Sequence, residues 1–191
     1  MDLLSALGRT IPFAFASGLN LYATVAVLGL ASHYHLVALP EQFRAFDNPV
    51  VIAAALVMYL VEFVADKVPW FDSVWDAVHT VIRPLGGALV AMTALGDASS
   101  GTEAIVALLG GSVAMTTHLT KASARAAANT SPEPFSNWLL SIGEDVFAIG
   151  LSYFALTHPI VALTVVAILL AVIVASAATL IRWLRRRFAS S

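Results

Sequence analysis

IVALTVVAILLAVIVASAATLI, residues 160–181, contains no charged side chain and is followed at once by Arg182-Trp183-Leu184-Arg185-Arg186-Arg187. At 1.5 Å per residue, a helix over this run reaches about 33 Å, enough to cross a hydrocarbon core about 30 Å thick. A helix facing water on one side needs a polar stripe, and this one has none. A basic cluster directly after such a span sits on the cytoplasmic side, against anionic lipid. The run therefore reads as a membrane span with a basic cytoplasmic tail, 182–191.

The rest of the chain has the same character. Hydrophobic residues make up 59% of its 191 residues and charged residues 12%, with a mean hydropathy of +0.85. A soluble domain carries roughly 25% charged residues to solvate its surface. Apolar blocks fall at 11–31, 49–65, 79–96, 103–119, 137–156 and 159–182. The expectation is an all-α, polytopic membrane helical bundle of about six spans, with 1–191 as a single integral membrane domain. Ala14-Phe15-Ala16 has the look of a processing site after Arg9, but apolar sequence continues well past it, so the first span reads as retained. A net charge of -2 gives no sign of nucleic acid, and the absence of cysteine excludes disulfides and thiolate metal sites.

The connections sort by charge. Arg9, Lys67, Lys121 with Arg125, and the arginine tail fall on one side. The other side carries only Arg44 in 32–48, and no Lys or Arg in 97–102 or at Thr157-His158-Pro159. By the positive-inside rule this is a multi-pass protein with both termini cytoplasmic, expected in a bacterial inner membrane. Residues 66–80 mix Asp66, Lys67, Asp72 and Asp76 with Trp70, Phe71 and Trp75. They suit an interfacial segment or a re-entrant hairpin, as 120–136 also does. Residues 49–95 and 103–156 share a plan of span, lysine, polar hairpin and span, with Lys67 matched to Lys121 and Arg83 to Glu144. That pattern suggests a parallel two-helix repeat.

Charges within a bilayer cost roughly 2.5–3.5 kcal/mol each on insertion scales, so they need partners or a purpose. Asp72, Asp76, His79 and Arg83 follow at intervals of four, three and four, on one helical face. Glu62 and Asp66 are four apart; His118, Lys121 and Arg125 form a basic face; Asn137, Ser141 and Glu144 continue on another span beside Asp145. The halves are complementary in sign, so Glu62 and Asp66 should meet Lys121 and Arg125, and Arg83 should meet Glu144. The competing reading is charge pairing that only holds helices together or snorkels to the surface. Asp76 and His79, three apart, invite a hydrogen bond or a shared ion, and whether a metal binds is left open. In the first span, Ala16-Ser17-Gly18-Leu19-Asn20-Leu21-Tyr22 suits close helix packing, or an interrupted helix that exposes backbone to a substrate.

At these motifs the chain resembles an uncharacterised group of bacterial membrane proteins, the domain of unknown function 4126 family. The similarity is carried by 16–22, Glu62-Phe63-Val64-Ala65-Asp66-Lys67-Val68-Pro69, Asp72-Ser73-Val74-Trp75-Asp76, His79-Thr80 with Arg83-Pro84, His118-Leu119-Thr120-Lys121-Ala122 and Asn129-Thr130-Ser131-Pro132-Glu133-Pro134. The resemblance implies a multi-span membrane protein and supplies no activity.

Three functions fit the residues. The first is a small transporter or channel for an ion or small charged solute. Its binding set is Asn20, Glu62, Asp66, Lys67, Asp72, Asp76, His79, Arg83, His118, Lys121, Glu144 and Asp145. The second is a membrane enzyme acting on lipid headgroups or phosphate compounds, with Asp76 and His79 as acid–base groups and Lys121 and Arg125 as a phosphate clamp. The third is a membrane scaffold without a small-molecule site. No Ser-x-x-Lys or His-Glu-x-x-His signature is present, which weighs against the enzyme and assigns no catalytic residue. Membrane lipid and a small ion or solute are the expected partners, with no cofactor and no nucleic acid. Six short helices enclose little volume, which makes a homo-oligomer an option.

Overall fold

The computed structural model describes residues 3–130 and 135–189. Among these residues the chain is all-helical, without strands: α1 (Leu3–Leu19), α2 (Leu21–His33), α3 (Pro49–Ala65), α4 (Pro69–Leu95), α5 (Ser100–Asn129), α6 (Phe135–Thr157) and α7 (Pro159–Ala189), with a short 3-10 helix at Glu41–Phe46. Three helices are long and apolar enough to cross a membrane, Trp70–Leu95, Phe135–Thr157 and Pro159–Phe188; α2 and α3 are shorter apolar helices. Each α-helix from α2 to α5 starts where its sequence supplies a cap or a proline. Asn20, Asn48 and Ser99 side chains cap α2, α3 and α5, and Pro49 and Pro69 occupy first turns where a missing N–H costs nothing.

The distribution of polarity is inverted relative to a soluble protein. Val57, Leu60, Val64, Val81, Leu85, Leu89, Leu108 and Val174 face outward, while Glu62, Asp66, Asp72, Arg83, Lys121 and Arg125 are buried. A hydrocarbon solvent favours that arrangement, because it hydrates no charge and carries no penalty for apolar contact.

Helix α1 lies at the centre and packs on α4, α5, α6 and α7, burying Phe13, Ala14, Phe15, Ala16 and Ser17. Small residues bring its neighbours close. A Cβ on Gly110 would fall 2.6 Å from Ala91 Cβ, and one on Gly18 would meet the Ala114 carbonyl and stand 2.8 Å from Thr117 Cβ. With no apolar driving force between helices in lipid, such backbone approach is the main source of packing energy.

Two expectations change. The first span, 11–31, is not one continuous helix; of the two readings of 16–22, it takes the interrupted one. It breaks at Asn20, whose backbone is extended (φ -149°, ψ 100°) and whose side chain accepts from the Ala23 N–H. Residues 69–80 form neither a separate segment nor a re-entrant hairpin; they are the first turns of α4. Asp66 ends α3 as its C-cap, and Pro69 starts α4 after a tight turn. Likewise 120–129 continues α5, while residues 131–134 lie outside the described residues.

Candidate functional site

The break in the first span leaves backbone groups without helical partners, and distant side chains take them up. Arg83 Nη1 donates to the Gly18 carbonyl at 3.3 Å, and Lys121 Nζ to the Leu19 carbonyl at 3.1 Å. These are the final carbonyls of α1, where the helix dipole is negative and cations are favoured. On the other side of the break Asn20 caps α2 through its Oδ1, which orients its amide, and Nδ2 then donates to Asp145 Oδ1 at 2.9 Å.

From this point a buried ionic network runs toward the α3–α4 turn. Glu62, on the last turn of α3, accepts from Arg83 Nη2 at 2.7 Å and from Lys121 Nζ at 3.2 Å. Lys121 also reaches Asp66 at 3.3 Å and Glu144 at 3.6 Å. One turn along α5, Arg125 pairs with Asp66, lies 3.3 Å from Glu144 and 3.8 Å from Asp72, and donates to the Asn137 carbonyl and side chain. Asn137 donates to Asn129, which donates to Asp72. Glu62, Asp66, Asp72, Arg83 and His118 have no exposed surface.

The sign complementarity read from the sequence has a physical counterpart: Glu62 and Asp66 do meet Lys121 and Arg125. The expected Arg83–Glu144 pair does not form. Arg83 is drawn to Glu62, with Asp76 at 3.7 Å, while Glu144 binds Lys121 and Arg125. Lys67 and Lys121, which the suggested repeat would match, sit in different surroundings, so the match gains no support here. Lys67 Nζ donates to the Phe63 carbonyl at 2.8 Å and Ser141 Oγ at 3.3 Å, over the Phe63 ring and only half-buried.

The histidines play supporting parts. His118 Nδ1 lies 2.9 Å from Arg83 Nη1, and guanidinium can only donate, so Nδ1 carries no proton. Its Nε2 then meets Thr80 Oγ1 at 3.1 Å. His79 Nδ1 donates to the Trp75 carbonyl at 2.8 Å, leaving Nε2 to the Tyr22 hydroxyl at 3.0 Å, with the Trp75 ring stacked on the imidazole. Both ring nitrogens of His79 are therefore engaged away from Asp76, so the expected Asp76–His79 hydrogen bond is replaced by contacts to Trp75 and Tyr22. Among the described residues no group of three or more His, Asp or Glu is arranged to hold a metal ion. Tyr22, Thr80 and the Gly18 and Leu19 carbonyls were not singled out from sequence as partners. The Gly-x-Asn pattern inside an apolar span was their one signal.

Two apolar grooves flank the network. One of about 410 Å³ lies between α2, α3 and α4 and includes Tyr22, Met58 and Leu89. The other, about 600 Å³, runs along α1, α6 and α7 past Phe15, Leu140 and Phe147 to Glu144.

Charge is not balanced inside the cluster. Among the described residues, Glu62, Asp66, Asp72, Asp76, Glu144 and Asp145 are six carboxylates, against the four cations Lys67, Arg83, Lys121 and Arg125, a formal excess of two negative charges. Glu62 Oε2, Asp66 Oδ1 and Asp145 Oδ2 are buried without a hydrogen-bond donor. Arg83 Nε and Arg125 Nε and Nη2 are likewise buried without a hydrogen-bond acceptor, and each such group costs free energy to keep from water.

No curated protein and no solved structure matches the chain. A family model does, over residues 7–179, a range that includes every helix discussed except the ends of α1 and α7. The chain belongs to the family described as the domain of unknown function DUF4126.

Proposed function

We propose that this protein is a small membrane transporter or channel for an ion or small charged solute, and that the carboxylate-rich network is where charge is bound or relayed. The observation that carries this reading is the formal excess of two carboxylates over cations among the described residues of the network, at a broken helix. A purely structural network gains most from complete pairing, because each uncompensated buried ion is destabilising. Retained imbalance is the property of a site that loads and unloads positive charge.

Depth supports the same reading. A span needs about 20 residues, which counted back from Leu95 begins at Asp76. Arg83 then lies about 10 Å inside the hydrocarbon boundary. We place the protein in the bacterial cytoplasmic membrane with both termini cytoplasmic, from the distribution of Lys and Arg. The phosphate-clamp reading is less well supported, since Lys121 and Arg125 are both engaged by carboxylates.

Reconstitution into liposomes tests the proposal. Purified protein should carry H⁺, Na⁺ or K⁺ down an imposed gradient faster than protein-free vesicles, and Glu144→Gln, at the edge of the network, should slow it at least several-fold. Flux equal to that of empty vesicles for all three ions, from folded protein, would refute transport of these ions by the network.

A further inference from the structure

The carboxylates of the network are not equivalent. Five of them lie within 4 Å of a Lys or Arg nitrogen: Glu62 at 2.7 Å, Asp66 at 3.3 Å, Asp72 at 3.8 Å, Asp76 at 3.7 Å and Glu144 at 3.3 Å. Asp145, on α6 and only 3% exposed, has no such partner among the described residues. We propose that Asp145 is a proton-binding carboxyl group, the position at which this protein takes up and releases H⁺. The inference rests on the transport reading and names its ion and its carrier.

The surroundings of Asp145 define the site. From the break between α1 and α2, Asn20 Nδ2 donates to Oδ1 at 2.9 Å. Asn20 cannot turn to offer its oxygen, because that oxygen already accepts the Ala23 N–H at 2.8 Å. Oδ2 is buried with no donor. From α3, the Tyr59 hydroxyl approaches the Asp145 carboxylate as a second, weaker hydrogen-bond donor and Glu62 and Asp66 face it, and from α5, Lys121, none of them as an ion pair within 4 Å. Lys67 also attracts Asp145 through space, but its Nζ donates to Ser141 Oγ, one turn earlier on α6, and to the Phe63 carbonyl. A carboxylate placed among two other acids, with the Asn20 amide as its close donor and no Lys or Arg nitrogen within 4 Å among the described residues, has its charge only partly offset, by Lys67 and Lys121 at longer range. Adding H⁺ at Oδ2 removes that charge and leaves the Asn20 contact at Oδ1 intact. No other bond forms or breaks.

A metal cation fits the same place less well. A hard ion needs several converging oxygens, and the nearby carbonyls of Gly18 and Leu19 are already occupied by Arg83 and Lys121. A proton requires only one oxygen.

Infrared difference spectroscopy on the full chain in lipid nanodiscs reads the proton directly. At neutral pH the wild-type protein should show the C=O stretch of a protonated carboxylic acid, moving to lower frequency in heavy water. Asp145→Asn should lose that band, and Asp145→Glu should keep it at a shifted position. A wild-type spectrum with ionised carboxylates only, a band unchanged in Asp145→Asn, or a band removed by adding Na⁺ overturns the proposal. Should Asp145→Asn fail to fold, a folded Asp145→Glu whose band does not move overturns it equally. Ion flux without the band retires Asp145 and leaves transport standing, whereas the band without flux does the reverse.

Discussion

Replacing Glu62 by Gln removes one negative charge from the centre of the ionic network while preserving its shape. Glu62 has no exposed surface, and its Oε1 is shared by Arg83 at 2.7 Å and Lys121 at 3.2 Å. After the change Arg83 retains, among the described residues, Asp76 alone as a charged partner, at 3.7 Å. Lys121 keeps Asp66 and Glu144, so most of the loss falls on Arg83. Breaking one side of a buried pair costs about 3–5 kcal/mol, because the remaining ion stays desolvated. The glutamine oxygen still accepts one N–H, which places the expected loss toward the lower end of that range. Equilibrium unfolding of purified protein in mixed micelles, titrated with a denaturing detergent, measures it. The control is Glu41→Gln, whose partner Arg44 lies at 3.1 Å with both side chains largely exposed, and which should cost no more than about 1 kcal/mol. Arg83→Gln combined with Glu62→Gln should cost less than the sum of the two, by about 0.5–3 kcal/mol. A Glu62→Gln loss as small as the control's, or strictly additive single changes, would show that the two side chains do not form the buried pair.

Helix approach makes a contrasting pair of predictions. Gly18→Ala drives a methyl into the Ala114 carbonyl and Thr117, whereas a Cβ on Gly143 meets nothing within 4 Å. The first should destabilise by about 1–3 kcal/mol or more, and the second should be neutral or stabilise by up to about 1 kcal/mol through helix propensity, both read in the same unfolding assay. Asn20→Ala removes the α2 cap and the donor to Asp145 together, with the cap alone contributing about 0.5–2 kcal/mol. Asn20→Ser should recover the cap component only, and identical stability of the two variants would argue that the cap contributes nothing.

The membrane character of the chain, and much of the polar face, was legible in residue order. Hydropathy is a local property, so a run such as 160–181 declares its solvent without reference to the rest of the chain. The four-three-four spacing of Asp72, Asp76, His79 and Arg83 likewise placed all four on one face, and all four are buried there. Helical periodicity dictates this directly. The opposite signs of the Glu62–Asp66 and Lys121–Arg125 pairs pointed to their meeting. Partner choice within the cluster was less legible. Arg83 selects Glu62 rather than Glu144 because distance through space, which the repeat alignment did not measure, decides a Coulomb interaction.

The break at Asn20 shows the boundary most clearly. An apolar stretch from 11 to 31 has the same hydropathy whether its helix is whole or divided, so residue order alone specified a span and a weak point within it. What divides that span lies 65 and 102 residues away, where Arg83 and Lys121 hold the Gly18 and Leu19 carbonyls. Local sequence thus determined which segments leave water and which faces carry charge. Tertiary packing determined where a backbone turns, which ions pair and which acid is left without a counterion, since each of these depends on groups remote in the chain and close in space.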